Sequence, residues 1–415
     1  MMGLTEEQRA IQQMVRDFVE DYVRPWVRDN RDREWTASPE ERWPEELVRK
    51  ASELGLRTIN IPERYGGVRY DAQTWVVIAE ELARGDVGLI EMLFQNWKIS
   101  LLLAEIAPQH LQDYWFPRIM EDPTFVMAHA STEPRGASDR WLPYNVPEAG
   151  METKAHYEDG SWVINGRKQF ITNAYEAKLF VVYANTNPNV GIMDGTSSFL
   201  VPRDTPGLLI GWAHEKLGTR FHNNAELIFE DCRVPEDHLL VRDTARRAAG
   251  NYFNAGKVLL AAKDLGLGVA AYEDTAAFAQ SRVQGGRLII QHQLVGAALA
   301  DMATKLETVR ALTRWAARAL DEGSEHAPRL GMMAHLYASE TVFEVCRKAV
   351  ELWGGMGIMR EAGIEKYLRD ATVGLHLDGT TDIQRLKIAK SLFPDTAGPY
   401  AGPVEMPPKV PAAAS

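Results

Sequence analysis

The first residues of the chain carry apolar side chains at helical spacing behind a start signal. Thr5 and Gln8 form a capping-box pattern, in which each residue satisfies a backbone N–H of the first helical turn. The apolar stripe behind this cap consists of Ile11, Val15, Phe18 and Tyr22. The pattern therefore predicts that the chain opens with an amphipathic helix.

Helical spacing continues well beyond this first segment. A second helix is predicted from Pro44 to Gly55, because proline suits a first helical position and glycine suits the left-handed position after a helix end. Apolar residues keep a helical period over residues 72–120. Residues 1–125 are thus predicted to form an all-helical domain.

The pattern changes at about residue 126, where β-branched and aromatic residues become frequent. Turn dipeptides such as Asp159-Gly160 and Asn165-Gly166 interrupt these short apolar runs, which is typical of hairpins. Residues 126–240 are therefore predicted to form an antiparallel β domain of six to eight strands.

Helical period returns over residues 241–395 in four long segments with short glycine-containing breaks. The breaks lie near Gly285-Gly286, Gly323 and Gly354-Gly355. Long segments with short connections predict an antiparallel four-helix bundle. Residues 396–415 are rich in proline, alanine and glycine without a period, which predicts a flexible tail. The fold class is thus predicted to be α+β and multidomain, with a helical, a β and a second helical domain.

Composition narrows the possible functions. A length of 415 residues allows two or three domains with shared buried surface, which favours an enzyme. The net charge of −11 argues against general binding to nucleic acid or to an anionic membrane. Cys232 and Cys346 lie far apart and show no metal-ligand spacing, so neither a disulfide framework nor a metal site is predicted. With no secretory signal pattern at the start, a cytoplasmic location is expected.

Seven short motifs give the most specific functional signal. They are INIPERYGG (59–67), STEPRGASD (131–139), INGRKQFITN (164–173), FEDCRVP (229–235), ELWGGMGIM (351–359), YLRDA (367–371) and DGTTDIQR (378–385). No strand followed by GxGxxG and a helix is present, which argues against a Rossmann site. In their order and spacing the seven motifs resemble the acyl-CoA dehydrogenase family over nearly the whole chain.

The resemblance implies an FAD-dependent oxidoreductase that introduces an α,β double bond into an acyl-CoA thioester. It implies that Thr132 bonds the flavin's pyrimidine edge, that Thr172 lies near flavin N5 and that Phe170 replaces a tryptophan that packs on the flavin ring. It also assigns Arg282 to the FAD pyrophosphate of a neighbouring subunit, a role that suits a bidentate cation. The further cofactor positions that it implies are Gln293, Gly355 and Thr380.

Two carboxylates depart from the family pattern on the FAD side. Glu351 and Asp382 stand where glutamines are common, and carboxylates close to a phosphate would repel it. They are expected either to face the adenine or ribose or to make FAD binding unusual.

The resemblance also implies a substrate site. Ser138 is expected to touch the CoA portion, and Lys257 and Asn254 are expected near its adenosine-phosphate end. Further substrate positions that it implies are Glu91 and Gln95 at the acyl pocket and Gly379 beside the base. A buried Glu91 beside a fatty acyl chain is costly unless it is paired. This favours a polar, branched or cyclic acyl group, and the alternative is that Glu91 faces a neighbouring basic residue or solvent.

Asp378 matches the position of the base, where glutamate is the usual residue. Its role would be to remove the α-proton before the β-hydrogen leaves as hydride. Aspartate is one methylene shorter, so its carboxylate is drawn back by about 1.5 Å. The alternative is a helix N-cap, because Asp-Gly-Thr before IQRLKIAK is a plausible helix start.

Partners and competing functions follow from the same resemblance. An electron-transferring flavoprotein is the expected electron acceptor, and a homotetramer built as a dimer of dimers is the expected assembly. Oxidation of a nitroalkane or elimination chemistry on this fold is a second possibility, since aspartate occurs at the base position in nitroalkane oxidases. A non-catalytic acyl-CoA-binding subunit is a third.

Overall fold

A computed structural model describes residues 3–137, 147 and 150–394, and its N-terminal part is helical, as predicted. The helices there are α1 (Glu6–Phe18), α2 (Arg24–Asp29), α3 (Arg33–Thr36), α4 (Pro39–Arg42), α5 (Glu45–Glu53), α6 (Ala72–Gly85), α7 (Val87–Ile106) and α8 (Gln109–Glu121). The predicted capping box starts α1, with Gln8 N–H donating to Thr5 Oγ1 at 3.1 Å. Pro44 is the N-cap of α5 rather than its first residue, and Gly55 has the expected positive φ of 73°.

Helix α7 is the central helix of the N-terminal part. It is long and apolar enough to cross a membrane, but 89% of its most apolar 18-residue window is buried inside the protein. A helix that is apolar on all sides is buried on all sides, which fits a core position. The charged residues Glu91 and Lys98 therefore lie in the interior, where each needs compensation.

The middle of the chain forms an eight-stranded sheet, in agreement with the predicted number of strands. Its elements are β1 (Met127–Ala130), β2 (Lys154–Glu158), β3 (Ser161–Thr172), β4 (Leu179–Asn185), the short helix α9 (Ile192–Gly195), β5 (Thr196–Pro202), β6 (Leu208–Ala213), β7 (Asn224–Pro235) and β8 (Leu239–Val241). The strand order is β6-β7-β3-β2-β4-β5-β8, and β1 pairs with β4.

The sheet is mostly antiparallel, and two pairings are parallel. Strand β1 runs parallel to β4 over its whole length, and β2 meets β4 in parallel at Lys154 and Asn185. All seven residues of β4 are buried, so its sequence lacks the alternation that marks a sheet with one solvated face. A fully buried strand gives no sign of its neighbours' direction, which is why these parallel pairings were not predicted.

Three long helices and three shorter ones form the C-terminal part, among the described residues. The elements are α10 (Ala245–Ala248), α11 (Gly250–Ser281), the hairpin strands β9 (Val283–Gln284) and β10 (Arg287–Leu288), α12 (Gln293–Asp321), α13 (Ala327–Trp353), α14 (Ile364–Gly374) and α15 (Thr381–Leu392). The predicted helical C-terminal domain is confirmed, and its fourth segment is split into α14 and α15. Asp378 and Gly379 have φ values of 49° and 92°, which no helix can accommodate. The predicted tail at 396–415 lies outside the described residues.

Hydrogen bonds tie α7 to the sheet. The Asn96 side chain donates to the Phe125 carbonyl and accepts from the Met127 N–H, each at 2.8 Å. The Asn173 amide, just after β3, donates to the Met92 carbonyl at 3.1 Å. These bonds fix α7 against the end of β1, so polar residues of α7 are held in a set position relative to the sheet.

Candidate active site

The break between α14 and α15 is held by hydrogen bonds to three consecutive carbonyl groups. His335 donates to the Leu377 carbonyl at 3.2 Å. The Gln384 amide donates to the carbonyls of Asp378 at 3.0 Å and Gly379 at 3.1 Å, and the Lys257 ammonium also donates to the Asp378 carbonyl. All of these hydrogen bonds go to backbone carbonyls, and none of them uses the Asp378 carboxylate. The Asp378 side chain can therefore face a ligand.

Asp378 does not cap the helix that follows it. The N-cap of α15 is Thr380, whose hydroxyl accepts from the Ile383 N–H at 3.4 Å, so the capping interpretation of Asp378 was wrong. One third of the Asp378 side chain is exposed. In the described part of the chain no acceptor takes the Asp378 backbone N–H. Both the carboxylate and this N–H are therefore available to a bound molecule.

Two lysines set the electrostatics of the Asp378 carboxylate. Burial would raise its pKa, but the charges of Lys98 and Lys257 outweigh this effect and lower the pKa below its usual range. Lys98 Nζ lies 4.0 Å from Asp378 Oδ2. Burial lowers the pKa of His335 to about 3, so its ring is neutral at pH 7. Asp378 is thus ionised at neutral pH, as a base has to be.

Gly256 makes room for this pair of charges. A Cβ atom at Gly256 would lie 3.3 Å from Asp378 Oδ2 and 3.4 Å from Lys98 Cδ, tighter than most contacts of this kind. A larger residue at position 256 would therefore crowd the Asp378 carboxylate and the Lys98 side chain. Lys98 was missed in the sequence, although a lysine in a continuous apolar helix was the available signal.

Lys257 lies beside the backbone of Asp378. It is buried, and its ammonium donates to the Asp378 carbonyl. Burial lowers its pKa to about 8. Asn254 lies one turn earlier on α11 and is half-buried. The expected contact of both residues with the phosphate end of CoA stays a prediction.

Glu91 is paired inside the protein. Its carboxylate accepts from Lys263 at 2.9 Å, and Lys263 also contacts Asp264 at 3.1 Å. The alternative that Glu91 faces a basic neighbour therefore holds, and Glu91 no longer supports a polar acyl group. Gln95, one turn along α7, accepts from the Tyr252 hydroxyl at 3.2 Å. Gln95 and Tyr252 thus provide polar groups on this side of α7.

The candidate flavin-edge residues meet at the end of β3. Phe170 has a positive φ of 60°, and its ring is 56% exposed. The Asn224 amide donates to the Phe170 carbonyl at 2.9 Å and to the Thr172 hydroxyl at 3.1 Å. Because that hydroxyl already accepts a hydrogen bond, its own proton is directed elsewhere. Asn224 was missed in the sequence.

Thr132 is held beside this group by its neighbour in the chain. The Thr132 carbonyl accepts from the Gln169 N–H at 2.9 Å. Glu133 forms a fully buried ion pair with Lys168 at 2.7 Å and accepts from the backbone N–H groups of Glu152 and Thr153. The STEP segment is therefore fixed to β3. Ser138, the expected CoA contact, lies outside the described residues.

A second cofactor region lies at the far end of α11. A groove of about 790 Å³ is lined there by residues that include Arg282, Gly355 and Glu351. Gln293 begins α12 nearby and is exposed. Among the described residues, none of the flavin-edge residues lines this groove. Thr132, Phe170 and Thr172 therefore lie outside this groove.

The two unexpected carboxylates are neutralised by their own helices. Glu351 is hydrogen-bonded by Lys348, which lowers the pKa of Glu351, and it also pairs with Arg347. Asp382 contacts Arg385 at 3.3 Å. Their repulsion of a phosphate is therefore reduced at short range.

The described residues fit a flavin dinucleotide. Phe170 offers an exposed aromatic ring, and Thr172 offers a hydroxyl whose proton is free to point at the flavin. In the groove, a Cβ at Gly355 would meet nothing within 4 Å, which leaves its backbone open beside the Arg282 guanidinium. An open backbone next to a bidentate cation is a suitable surface for a pyrophosphate.

Comparison with known proteins covers nearly all of the chain. The models for the acyl-CoA dehydrogenase N-terminal, middle and C-terminal domains match residues 5–122, 128–232 and 246–393. A cyclohex-1-ene-1-carbonyl-CoA dehydrogenase of Geobacter metallireducens is 34% identical over 95% of this chain and 100% of its own length. The mitochondrial short-chain specific acyl-CoA dehydrogenase of Bos taurus is 33% identical, with coverage of 94% and 91%. The butyryl-CoA dehydrogenase structure from Megasphaera elsdenii has a TM-score of 0.85 at 26% identity, with coverage of 94% and 99%.

Proposed function

The chain belongs to the acyl-CoA dehydrogenase family and is an FAD-dependent enzyme that dehydrogenates acyl-CoA, and from this premise we propose that Asp378 is the base that removes the α-proton. The observation that carries the proposal is an ionised, partly exposed carboxylate whose backbone is fixed by Lys257, Gln384 and His335. A general base needs this combination of reach, charge and fixed geometry.

The proposed reaction uses one acceptor for the α-proton and another for the β-hydrogen. The α-proton goes to the Asp378 carboxylate, and bound FAD supplies the acceptor for the β-hydrogen, which leaves as hydride. The Asp378 backbone N–H has no acceptor in the described part of the chain, so it is available to the thioester carbonyl. A hydrogen bond there stabilises the negative charge that develops when the proton leaves. The next residue, Gly379, has no side chain that could block the approach of the thioester carbonyl to this N–H.

We propose that the flavin-edge residues Thr132, Phe170 and Thr172 hold the reactive ring, while Arg282, Gln293 and Gly355 bind the rest of FAD from a second subunit. The division is supported by the groove beside Arg282 and Gly355, which is lined by none of the three flavin-edge residues in the described part of the chain. A homotetramer built as a dimer of dimers provides such a second subunit. Thr380 caps α15 and lies two residues from Asp378. It therefore contributes to FAD binding by fixing the position of this loop.

Anaerobic titration of the flavin spectrum tests the proposed function directly. Purified protein is mixed with short, branched, cyclic and aromatic CoA esters without oxygen, and at least one is expected to bleach the oxidised flavin. The Geobacter relative makes cyclic esters a necessary part of the panel. If no ester bleaches the flavin of a folded, FAD-loaded protein, the proposed function is wrong. If an ester does bleach the flavin, the electrons are expected to pass to an electron-transferring flavoprotein, which is added as the acceptor in turnover assays.

Replacement of Arg282 with methionine is expected to weaken FAD retention by about 10–100-fold, the range for loss of a hydrogen bond to a charged group. Arg287→Met, in the hairpin that follows Arg282 and also exposed, is the matched control and should retain FAD. FAD content after dialysis and light scattering are the measurements. A fully loaded Arg282→Met protein, or a monomer that keeps FAD, contradicts the proposed role across a subunit boundary.

Nitroalkane oxidation is the second candidate function. A carboxylate whose pKa is lowered by two lysines is a weaker base, and a weaker base suits a more acidic C–H bond. Oxygen consumption with nitroalkanes, in the absence of bleaching by CoA esters, would favour this candidate over acyl-CoA dehydrogenation.

A further inference from the structure

A chain of hydrogen bonds leads from Thr172 into the interior of the protein, and the proposed reaction does not account for it. Asn224, the first residue of β7, donates to the Thr172 hydroxyl at 3.1 Å and to the Phe170 carbonyl at 2.9 Å. The Lys216 ammonium donates to the Asn224 Oδ1 atom at 2.7 Å. A lysine thus lies two hydrogen bonds behind one of the candidate flavin-edge residues.

The direction of each hydrogen bond in this chain is fixed by the groups at its ends. A carbonyl can only accept, so the Phe170 carbonyl holds the NH2 group of Asn224 on the side of Phe170 and Thr172. An ammonium can only donate, so Lys216 holds the amide oxygen of Asn224 on the opposite side. The Thr172 hydroxyl therefore has to accept from Asn224, and its own proton is directed away from Asn224.

The Lys216 ammonium is held by neutral acceptors. It also donates to the His222 carbonyl at 2.8 Å and to His222 Nε2 at 2.9 Å. Burial lowers the pKa of His222 well below its usual range, so this ring is neutral at pH 7. In the described part of the chain no carboxylate lies within 4.0 Å of the Lys216 ammonium. Its charge is therefore not used in an ion pair, and one of its three hydrogen bonds polarises Asn224.

We propose that Lys216 is a positioning residue, which acts through Asn224 to set the direction and strength of the Thr172 hydroxyl as a hydrogen-bond donor to FAD. This inference rests on the proposed flavin-edge role of Thr172. A cation at the amide oxygen polarises the N–H groups of Asn224, and hydrogen bonds in a chain strengthen one another in this way. Thr172 becomes a better donor as a result. Reduction adds negative charge to bound FAD, so a stronger donor at its edge favours the reduced form.

The charge of Lys216 changes close to neutral pH. Burial lowers its pKa to about 7, although the charge of Glu91 opposes this effect. The titratable groups that face Lys216 from the elements around it are Arg42 of α4, Glu91 of α7, Glu176 after β3, the neutral ring of His222 and Asp370 of α14. The ammonium form, which polarises Asn224, is therefore present below about pH 7 and is lost as the pH rises above this value.

The test measures the midpoint potential of FAD in the FAD-loaded protein by spectroelectrochemistry, without any CoA ester. Lys216→Met is expected to lower the equilibrium ratio of reduced to oxidised FAD about tenfold, the lower end of the range for a hydrogen bond that involves a charged group. For a two-electron couple this is a fall of about 30 mV. Lys216→Gln removes the charge but keeps N–H donors, and it is the second variant in case the first does not fold.

Lys178→Met is the matched control for removal of a hydrogen-bonded lysine after β3. In the described part of the chain its ammonium donates to Asp122 and Thr124, which are not in the chain of hydrogen bonds that ends at Thr172. The midpoint potential of this control should equal that of the wild-type protein.

A double variant separates an effect through Thr172 from a general effect of charge or stability. In the Thr172→Val background, Lys216→Met should cause no further change in the midpoint potential, because two residues that act in one chain of hydrogen bonds are not additive. The difference between the wild-type protein and Lys216→Met should also shrink as the pH rises above about 7, where Lys216 loses its charge.

Three results would overturn the inference. They are a wild-type midpoint potential in Lys216→Met, an equal shift in the Thr172→Val background, or a difference from the wild-type protein that is the same well below and well above neutral pH. Failure of the proposed reaction is a separate result, because the potential is measured without a CoA ester and does not depend on Asp378. Flavin that no ester bleaches, together with the expected shift in Lys216→Met, contradicts the proposed reaction alone.

Discussion

Replacement of Asp378 with asparagine is expected to lower turnover by at least about 10²–10⁴-fold, the usual contribution of a general base. The fold should survive, because asparagine adopts a positive φ about as readily as aspartate and the φ here is 49°. The cap of α15 is also untouched, since Thr380 provides it. FAD content and the melting temperature should therefore change little. Stopped-flow bleaching of the flavin is the measurement.

The control for this variant is Asp159→Asn. Asp159 has a similar φ of 48° and is exposed in the turn between β2 and β3, so its loss should leave turnover near the wild-type value. Near-native turnover of Asp378→Asn would instead assign proton removal to another group. Asp378→Glu is the milder change, and its longer side chain meets Gly256 and Lys98 at a backbone position that disfavours glutamate.

Replacement of Glu133 with glutamine is expected to lower the free energy of unfolding by about 3–5 kcal/mol, the cost of removing one partner from a buried ion pair. Both side chains of the Glu133–Lys168 pair are fully buried, and the variant leaves the Lys168 ammonium without its counter-charge. The same change loosens the segment that carries Thr132, so FAD retention should fall as well. Urea unfolding followed by circular dichroism and FAD release gives both quantities.

A matched control lies on the same sheet. Glu158 pairs with Arg233 at 2.8 Å, but about half of each side chain is exposed. Glu158→Gln should therefore cost only about 0–1 kcal/mol, as is usual for surface ion pairs. Equal stability losses in the two variants would mean that burial does not set the importance of the Glu133–Lys168 pair.

The sequence predicted those features that depend on neighbours in the chain. The capping box at Thr5, the helix end at Gly55 and the helix–sheet–helix order follow from local spacing and local backbone preference, and the structure confirms them. The motif order also indicated the family and FAD, which the comparisons confirm. The homotetramer and the cytoplasmic location stay predictions.

Only the tertiary structure decided which side chains surround Asp378. Lys98 and Asp378 are 280 positions apart in the numbering, and no local pattern relates them; the split of the last helix into α14 and α15 brings them to 4.0 Å. The same packing brings the Lys257 ammonium into hydrogen-bond contact with the Asp378 carbonyl, and the Asn224 amide into contact with the Thr172 hydroxyl. Sequence periodicity records which face of an element is buried, but the partner of a buried charge is set by how separate elements pack. The chemistry of this site therefore depends on contacts that the sequence alone did not determine.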